Sequence, residues 1–250
     1  MDNGNRKVYD SARAGRYYSG TMQVLPPENT IFSLLGSWLS TAVMLDIGIG
    51  AGRTTRHLLS RVKSYCGIDY SETMVSLCRN RFGTSEKQSF EVMDARSLSM
   101  ADDTFDFVLF SYNGIDSIDH EGRVKALAEM RRVCKPEGFC CISSHNIEHF
   151  HNRIRFAGKS LTGFADSLLC RIMNPHVRPG GIRRGSNSIV RDGAQRFRLQ
   201  LYYSDYFLQV RQLKESGFST IRSYSTDGHE IISVDDPALK TDPWIHYLIQ

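Results

Sequence analysis

Val43-Met44-Leu45-Asp46-Ile47-Gly48-Ile49-Gly50-Ala51-Gly52-Arg53-Thr54-Thr55-Arg56-His57-Leu58-Leu59 decides how the rest of the chain is read. Its front is an apolar, β-prone run, its middle is Asp-x-Gly-x-Gly-x-Gly, and its back opens a helix with Thr54 and Thr55. Strand, tight glycine turn and helix is the order that presents a helix N-terminus to an anionic or nucleotide-like ligand. Gly48, Gly50 and Gly52 suit a backbone that needs φ > 0 and close approach of a ligand. The competing reading is an ordinary strand-turn-helix whose glycines serve packing alone.

The spacing separates the candidate ligands. A dinucleotide fingerprint, G-x-G-x-x-G, requires glycine at position 53, where Arg53 stands. The Gly-Lys-Ser/Thr of a phosphate-binding Walker loop is absent. A second acid, Asp69, closes the apolar segment Tyr65-Cys66-Gly67-Ile68, 17 residues beyond Gly52. A carboxylate at the tip of a second strand is placed to accept hydrogen bonds from two ribose hydroxyls.

Outward from this stretch, strands and helices alternate. Strands are expected at 43–47, 64–69, 89–93, 105–111 and 139–145, with helices at 53–63, 72–82 and 121–135. Ser71 is an N-cap and Glu72 suits the positive end of the helix it opens. Such alternation builds a parallel sheet with right-handed crossovers. Phe107-Val108-Leu109-Phe110 and Phe139-Cys140-Cys141-Ile142 read as strands buried on both faces. Ahead of the first strand, Pro26-Pro27-Glu28 opens a helix with Ile31, Leu34, Leu35, Trp38 and Leu39 as its core face.

At this point the chain resembles the class I S-adenosylmethionine-dependent methyltransferases. The resemblance rests on Asp46 to Gly52, on Gly67-Ile68-Asp69-Tyr70-Ser71, and on Phe90-Glu91-Val92-Met93-Asp94-Ala95. It continues through Phe105-Asp106-Phe107-Val108-Leu109-Phe110-Ser111 and Val133-Cys134-Lys135-Pro136-Glu137-Gly138-Phe139. These segments lie within residues 43–146. Ser111-Tyr112-Asn113-Gly114 stands where the base-amine methylases carry Asn/Asp-Pro-Pro-Tyr/Phe, which argues against that branch. The implied fold is α/β, a Rossmann-like seven-stranded mostly parallel sheet flanked by helices. An N-terminal helical lid and an insertion after the fifth strand complete it. One domain is expected over 1–250: lid 1–40, cofactor-binding core 41–146, insertion and substrate cap 147–198, and C-terminal strands and helix 199–250. Phe218–Ser223 and Trp244–Ile249 are expected as the antiparallel strands six and seven.

The implied cofactor is S-adenosylmethionine, leaving as S-adenosylhomocysteine. Asp46 is expected to organise the glycine loop and receive the cofactor's ammonium, directly or through water. Gly48, Gly50 and Gly52 let it approach, Asp69 takes the ribose, and Tyr70 packs on the adenine. By resemblance, Asp94 accepts the adenine amine and the Ala95 amide meets a ring nitrogen; Asp94 also reads simply as a loop-initiating acid. Tyr17 and Tyr18 sit in the lid, with Tyr18 the candidate cofactor contact and helix packing the alternative. Ser111 lies beside the expected sulfonium position, and Tyr112 and Asn113 are candidates to position an acceptor. His145, at the end of the fifth strand, is the candidate general base, since an imidazole of ordinary pKa is largely neutral at pH 7. A polar histidine bonded to a helix N-terminus is the other reading. A zinc site from His145, His149 and Glu148 or His151 is not expected, because a strand end spoils the i, i+4 geometry. No metal is assigned.

Composition bounds the rest. At 250 residues, with 41% apolar and 23% charged side chains, the chain has ample material for a soluble α/β core. Six cysteines without C-x-x-C spacing, and an N-terminus without an apolar leader stretch, point to a reducing, cytoplasmic setting. No apolar run approaches a transmembrane span, so no membrane partner is expected. The net charge of +4 is uneven. Residues 151–198 hold ten basic and two acidic side chains, a net +8, while the remainder carries −4.

That insertion begins with a helical piece, Ile147–Met173, followed by a loop rich in Pro, Gly, Asn and Arg. It is expected to close over an acceptor bearing a carboxylate or phosphate. Tracking a nucleic-acid backbone is the alternative, disfavoured because Phe156, Phe164 and Phe197 are spaced as core residues rather than as a stacking platform. Arg196–Tyr203 alternates as a strand, and Ser204 caps a helix over 205–216. The function expected is methyl transfer to an N, O or C nucleophile of a small-molecule metabolite. An RNA methyltransferase using the basic insertion is the alternative, and a homodimer is compatible with either.

Overall fold

Strands buried on both faces, with successive side chains alternating between two cores, organise the molecule. The computed structural model describes residues 2–20, 23–155, 160–177 and 185–250. Helices α1 (Asp2–Tyr9), α2 (Ala12–Ser19) and α3 (Pro26–Leu35) precede strand β1 (Val43–Ile47). Then come α4 (Thr55–Leu58), β2 (Ser64–Asp69), α5 (Glu72–Phe82), β3 (Gln88–Val92), β4 (Phe105–Phe110), α6 (His120–Val133) and β5 (Cys134–Asn146). The second half holds α7 (Ile147–Arg153), α8 (Leu161–Met173), β6 (Asn187–Val190), β7 (Leu201–Ser204), α9 (Tyr206–Glu215), β8 (Ile221–Tyr224), β9 (Glu230–Ile231), α10 (Ala238–Thr241) and β10 (Trp244–Ile249).

The strand order is β3-β2-β1-β4-β5-β10-β8-β9. The first five strands are mutually parallel, and β10 runs antiparallel between β5 and β8. Leu45, Ile47, Val108, Phe110, Cys140 and Ile142 face a core shared with α6, while Met44, Phe107, Leu109 and Cys141 face α3 on the other side. The Rossmann-like expectation holds, with ten strands in the sheet in place of seven. The additions are β9 and the β6–β7 pair, which joins the end of β5 through His145↔Tyr203 and Asn146↔Ser204. Expected strands six and seven are β8 and β10; they pair antiparallel, with β9 and α10 lying between them in the chain.

Several local expectations are corrected. The helix expected at 53–63 is regular only over Thr55–Leu58, because its backbone mixes i→i−3 bonds (His57 to Thr54, Arg61 to Leu58) with i→i−4 bonds. The α3 segment ends at Gly36, which takes φ +51, and a 3-10 turn over Gly36–Thr41 follows. Leu34 is thereby left half exposed, outside the expected core face, while Ile31, Leu35 and Leu39 are buried. The helical piece over 147–173 is two helices, α7 and α8, capped by Asn146 and Ser160. The strand expected from Arg196 begins at Leu201, since Gln195, Arg196 and Phe197 hold φ of 49, 59 and 61°, incompatible with extended backbone. Asp205, not Ser204, caps α9, accepting the Leu208 N–H at 2.7 Å. Lys159, Arg178, Arg183, Arg184 and Phe156 of the insertion lie outside the described residues.

The N-terminal helices lie across the carboxyl ends of the parallel strands. Ala14 of α2 packs on Ala51 of the glycine turn and on Met74. Asp10 accepts from Ser71 Oγ at 2.6 Å. Buried Asn5 donates to the carbonyls of Ser117 and Gln200 and accepts the Gln200 N–H, which ties α1 to the turn after β4 and to the residue just ahead of β7.

Candidate active site

A cleft opens where β1, β2 and β4 end. It is lined by Gly48 to Ala51, Asp46, Asp69, Tyr70, Asp94, Ala95, Ser111 and Tyr112 from the sheet side. Tyr9 and Tyr18 line it from the N-terminal helices, their rings 5.8 Å apart. Ligands of open α/β sheets bind at this end of the strands.

The three glycines differ in what they do. All three have positive φ (66°, 53° and 87° for Gly48, Gly50 and Gly52). A Cβ on Gly48 would stand 2.8 Å from the Phe110 ring, and one on Gly52 would stand 2.3 Å from Phe82. A Cβ on Gly50 would meet nothing within 4 Å and would project into the cleft. Gly50 is therefore the position of the turn left open to the cleft, while Gly48 and Gly52 have aromatic rings pressed on them. Gly52→Ala is expected to cost about 2–4 kcal/mol of stability, from strain and overpacking. Gly50→Ala costs about 1 kcal/mol of strain but at least tenfold in cofactor affinity. Thermal unfolding and calorimetric titration of the pair check this, and equal losses of stability would refute the division.

Asp69 is 6% exposed; it accepts the Gly50 N–H at 3.0 Å and the Ser71 N–H at 2.9 Å. Burial pushes its carboxyl up to about 6 despite those bonds. Asp46 is buried beneath the turn, accepting from Thr54 and Tyr65 hydroxyls at 2.7 Å each, and burial likewise pushes it up to about 6. Asp94 sits at the rim with both oxygens held by Arg96, which keeps its carboxyl below the ordinary range. Tyr70 meets Tyr9 edge to face at 6.0 Å.

Sequence reasoning missed the floor of the cleft. Arg53 makes a bidentate pair with buried Glu28 at 2.6 Å for each bond, and donates to Ser111 Oγ at 3.0 Å. Ser111 Oγ also donates to Glu28. Burial would raise the Glu28 carboxyl, but the bonds from Arg53 and Ser111 outweigh it and leave the group below its ordinary value. The Arg53 guanidinium also lies 4.8 Å over the Tyr112 ring. The signal was present in the arginine that broke the dinucleotide fingerprint; nothing marked its partner, 25 residues earlier.

Tyr112 and Asn113 form a left-handed turn (φ 53 and 56°) that leads directly into the 3-10 turn Gly114–Ser117. A Cβ on Gly114 would stand 2.5 Å from Phe110, so the chain can only turn there as glycine. Beyond that turn, Asp116 is fully buried and accepts both the His145 N–H (2.6 Å) and His145 Nδ1 (2.7 Å). Arg123 and Ser144 bond the other Asp116 oxygen. A carboxylate only accepts, so His145 Nδ1 carries a proton and Nε2 is the ring nitrogen turned away from Asp116. That nitrogen lies 3.4 Å from Asn113 Nδ2 and 3.9 Å from Asp192 Oδ2. The His145 ring stacks on Tyr203 with centroids 4.5 Å apart, and Trp244 stands edge-on at 6.2 Å.

His145 and Asn113 do not line the cleft; Asn113 is the residue after Tyr112, which does, and His145 reaches Asn113 from the end of β5. Asp116, Asp192, Tyr203 and Trp244 escaped the sequence reading, because an isolated Asp in Gly-Ile-Asp-Ser carries no pattern. The second reading of His145, a bond to a helix N-terminus, is not what the structure has. His149 bonds the Thr241 carbonyl instead of joining His145, and among the described residues no group of three or more His, Cys, Asp or Glu is placed to hold a metal.

Residues 44–138 match the family model described as a methyltransferase domain. The solved structure of an S-adenosylmethionine-dependent methyltransferase from Mesorhizobium loti superposes with TM-score 0.63 at 15% identity, covering 90% of this chain and 98% of that one. Over residues 44–138 the chain thus resembles a methyltransferase domain, set in the class I fold. S-adenosylmethionine is the cofactor of this fold family. Over 98 residues the chain is 39% identical to norajmaline N-methyltransferase of Rauvolfia serpentina, covering 37% of this chain and 32% of the relative. Over 105 residues it is 31% identical to phosphatidylethanolamine N-methyltransferase of Cereibacter sphaeroides, covering 41% and 50%. The matches thus span a third to a half of these curated relatives. The family model stops before β5 ends, so its match contains Asp69 and Asp116 and excludes His145.

Proposed function

We propose that the chain transfers the methyl group of S-adenosylmethionine to an N, O or C nucleophile of a small organic molecule. One observation carries the reading: the Ser111–Asn113 turn has the Gly50–Asp69 cleft on one side and the Asp116–His145 pair on the other. The residues present fit the cofactor, since the turn leaves open space at Gly50, which lines the cleft, and Asp69 brings a buried acceptor to the same edge. Asp69 would take the ribose hydroxyls, Tyr70 the adenine face, the Ala95 amide and Asp94 the adenine edge. Tyr18 would close the cleft from above, with Asp46 organising the turn beneath Gly48 and Gly52. When bound, the cofactor supplies an electrophilic methyl on a good leaving thioether, so the protein's work is alignment and exclusion of water.

The roof made by α1 and α2 supports a small acceptor over a polynucleotide. Nitrogen acceptors head the candidates, since the two curated relatives above are N-methyltransferases. In the acceptor step Asp116 holds His145 in the tautomer whose Nε2 takes a proton, Asn113 orients that nitrogen, and Tyr112 flanks the approach.

Label from a methyl-labelled cofactor incubated with a metabolite extract identifies the acceptor, with total RNA as the competing substrate. With that acceptor, His145→Gln is expected to lower kcat on the order of a hundredfold or more, with cofactor affinity unchanged and the acidic limb of the pH–rate profile lost. An unaltered profile would remove the base. Label appearing in RNA alone would replace the small-molecule reading.

A further inference from the structure

Helix α8 faces the wrong way for a buried helix. Its fully buried residues are small ones, Ser167 and Cys170, while Phe164, Leu168, Leu169 and Ile172 are 45%, 44%, 46% and 64% exposed. At 100° per residue these four apolar side chains occupy one arc of about 140°, opposite Ser167 and Cys170. Burial inside the protein does not explain an outward stripe of large aliphatic and aromatic groups, and such patches mark interaction surfaces.

The charge around this stripe names the partner. The segment 151–198 carries a net +8. Its two acids are already engaged: Asp166 pairs with Arg153 at 2.8 Å, and Asp192 accepts from the Tyr203 hydroxyl at 2.8 Å. Arg155 and Arg198 are exposed, and Lys159 and Arg178 flank the helix in the sequence. We infer that α8 is a surface-lying membrane contact, its apolar arc entering the headgroup boundary of an anionic bilayer while exposed arginines of the same basic segment, Arg155 and Arg198, meet lipid phosphates. A second copy of the chain would set one +8 segment against another, and aliphatic side chains offer a nucleic-acid backbone nothing. Among the described residues no helix is long and apolar enough to cross a membrane, and this contact needs none. The inference stands apart from the methyl-transfer reading.

The test is co-sedimentation of the full chain with vesicles of phosphatidylcholine alone or mixed with phosphatidylglycerol. Binding to the mixed vesicles is expected, weakening at least tenfold in the double variant Leu168→Asn/Ile172→Asn and falling steeply with salt. Arg155→Glu/Arg198→Glu, which leaves the apolar arc intact, is expected to lose the preference for anionic vesicles. A cofactor-induced thermal shift equal to wild type shows that each variant is folded. No sedimentation at low salt, equal binding by the aliphatic variant, or equal binding to neutral vesicles overturns the inference. So does a concentration-dependent dimer in sedimentation velocity that the aliphatic variant abolishes, since the occupant is then a second copy.

Discussion

Asp69→Ala is expected to weaken S-adenosylmethionine binding on the order of a hundredfold or more. Hydrogen bonds to a charged group contribute about 1.5–3 kcal/mol each, and this carboxylate is placed to accept two from the ribose. The substitution also frees the Gly50 N–H, which Asp69 now holds at 3.0 Å, so the turn itself loosens. Titration calorimetry reads the loss, and an affinity within threefold of wild type would refute the assignment. A pH dependence accompanies it. Burial raises the Asp69 carboxyl to about 6, so the folded, unliganded chain favours its neutral form. That contribution to stability is full below the ordinary carboxylate pKa of about 3.9 and is lost as pH rises through about 6. Cofactor binding runs the other way, because the ribose hydroxyls need the carboxylate. The cofactor-induced thermal shift should therefore shrink as pH falls from 7 to 5 in the wild type, and not in Asp69→Asn. Asp46, also raised to about 6, moves the unliganded stability in the same direction as Asp69.

The largest effect on stability is expected from Arg123→Leu. Arg123 and Asp116 are both fully buried, and the arginine bonds Asp116, Gln209 and Ser144 and lies 4.4 Å over the Tyr202 ring. Removing one member of a buried pair leaves a charge without compensation, at about 3–5 kcal/mol. For a chain of this size that is a fall in Tm of roughly 6–20 °C. Adding Asp116→Asn should recover part of it, since the uncompensated charge is then gone. The double variant also costs His145 its orienting carboxylate, so stability should return without activity. A change of less than 2 °C in the single variant would show that the pair carries no such load.

Much of the cofactor side was legible before any coordinates. The order of strand, glycine turn and helix, and the acid ending the second strand, follow from neighbours in the chain. Period-two burial and the need for positive φ are local constraints, and local constraints are written locally. The same holds for the cap at Ser71, which bonds the Met74 N–H three positions on.

What tertiary structure alone decided is everything carried by distant pairs. Glu28 with Arg53, Asp116 with His145 and Arg123, and Asn5 with Gln200 join residues whose separation in sequence has no period to betray it. Gly48 and Gly52 show the same limit from the other side. Their presence was readable, but the reason for them is a ring brought up from Phe110 or Phe82. A desolvated charge needs its partner within hydrogen-bond reach whatever the length of the intervening chain. The sequence therefore determined the cofactor-side framework, and only folding determined which buried charges face one another beside it.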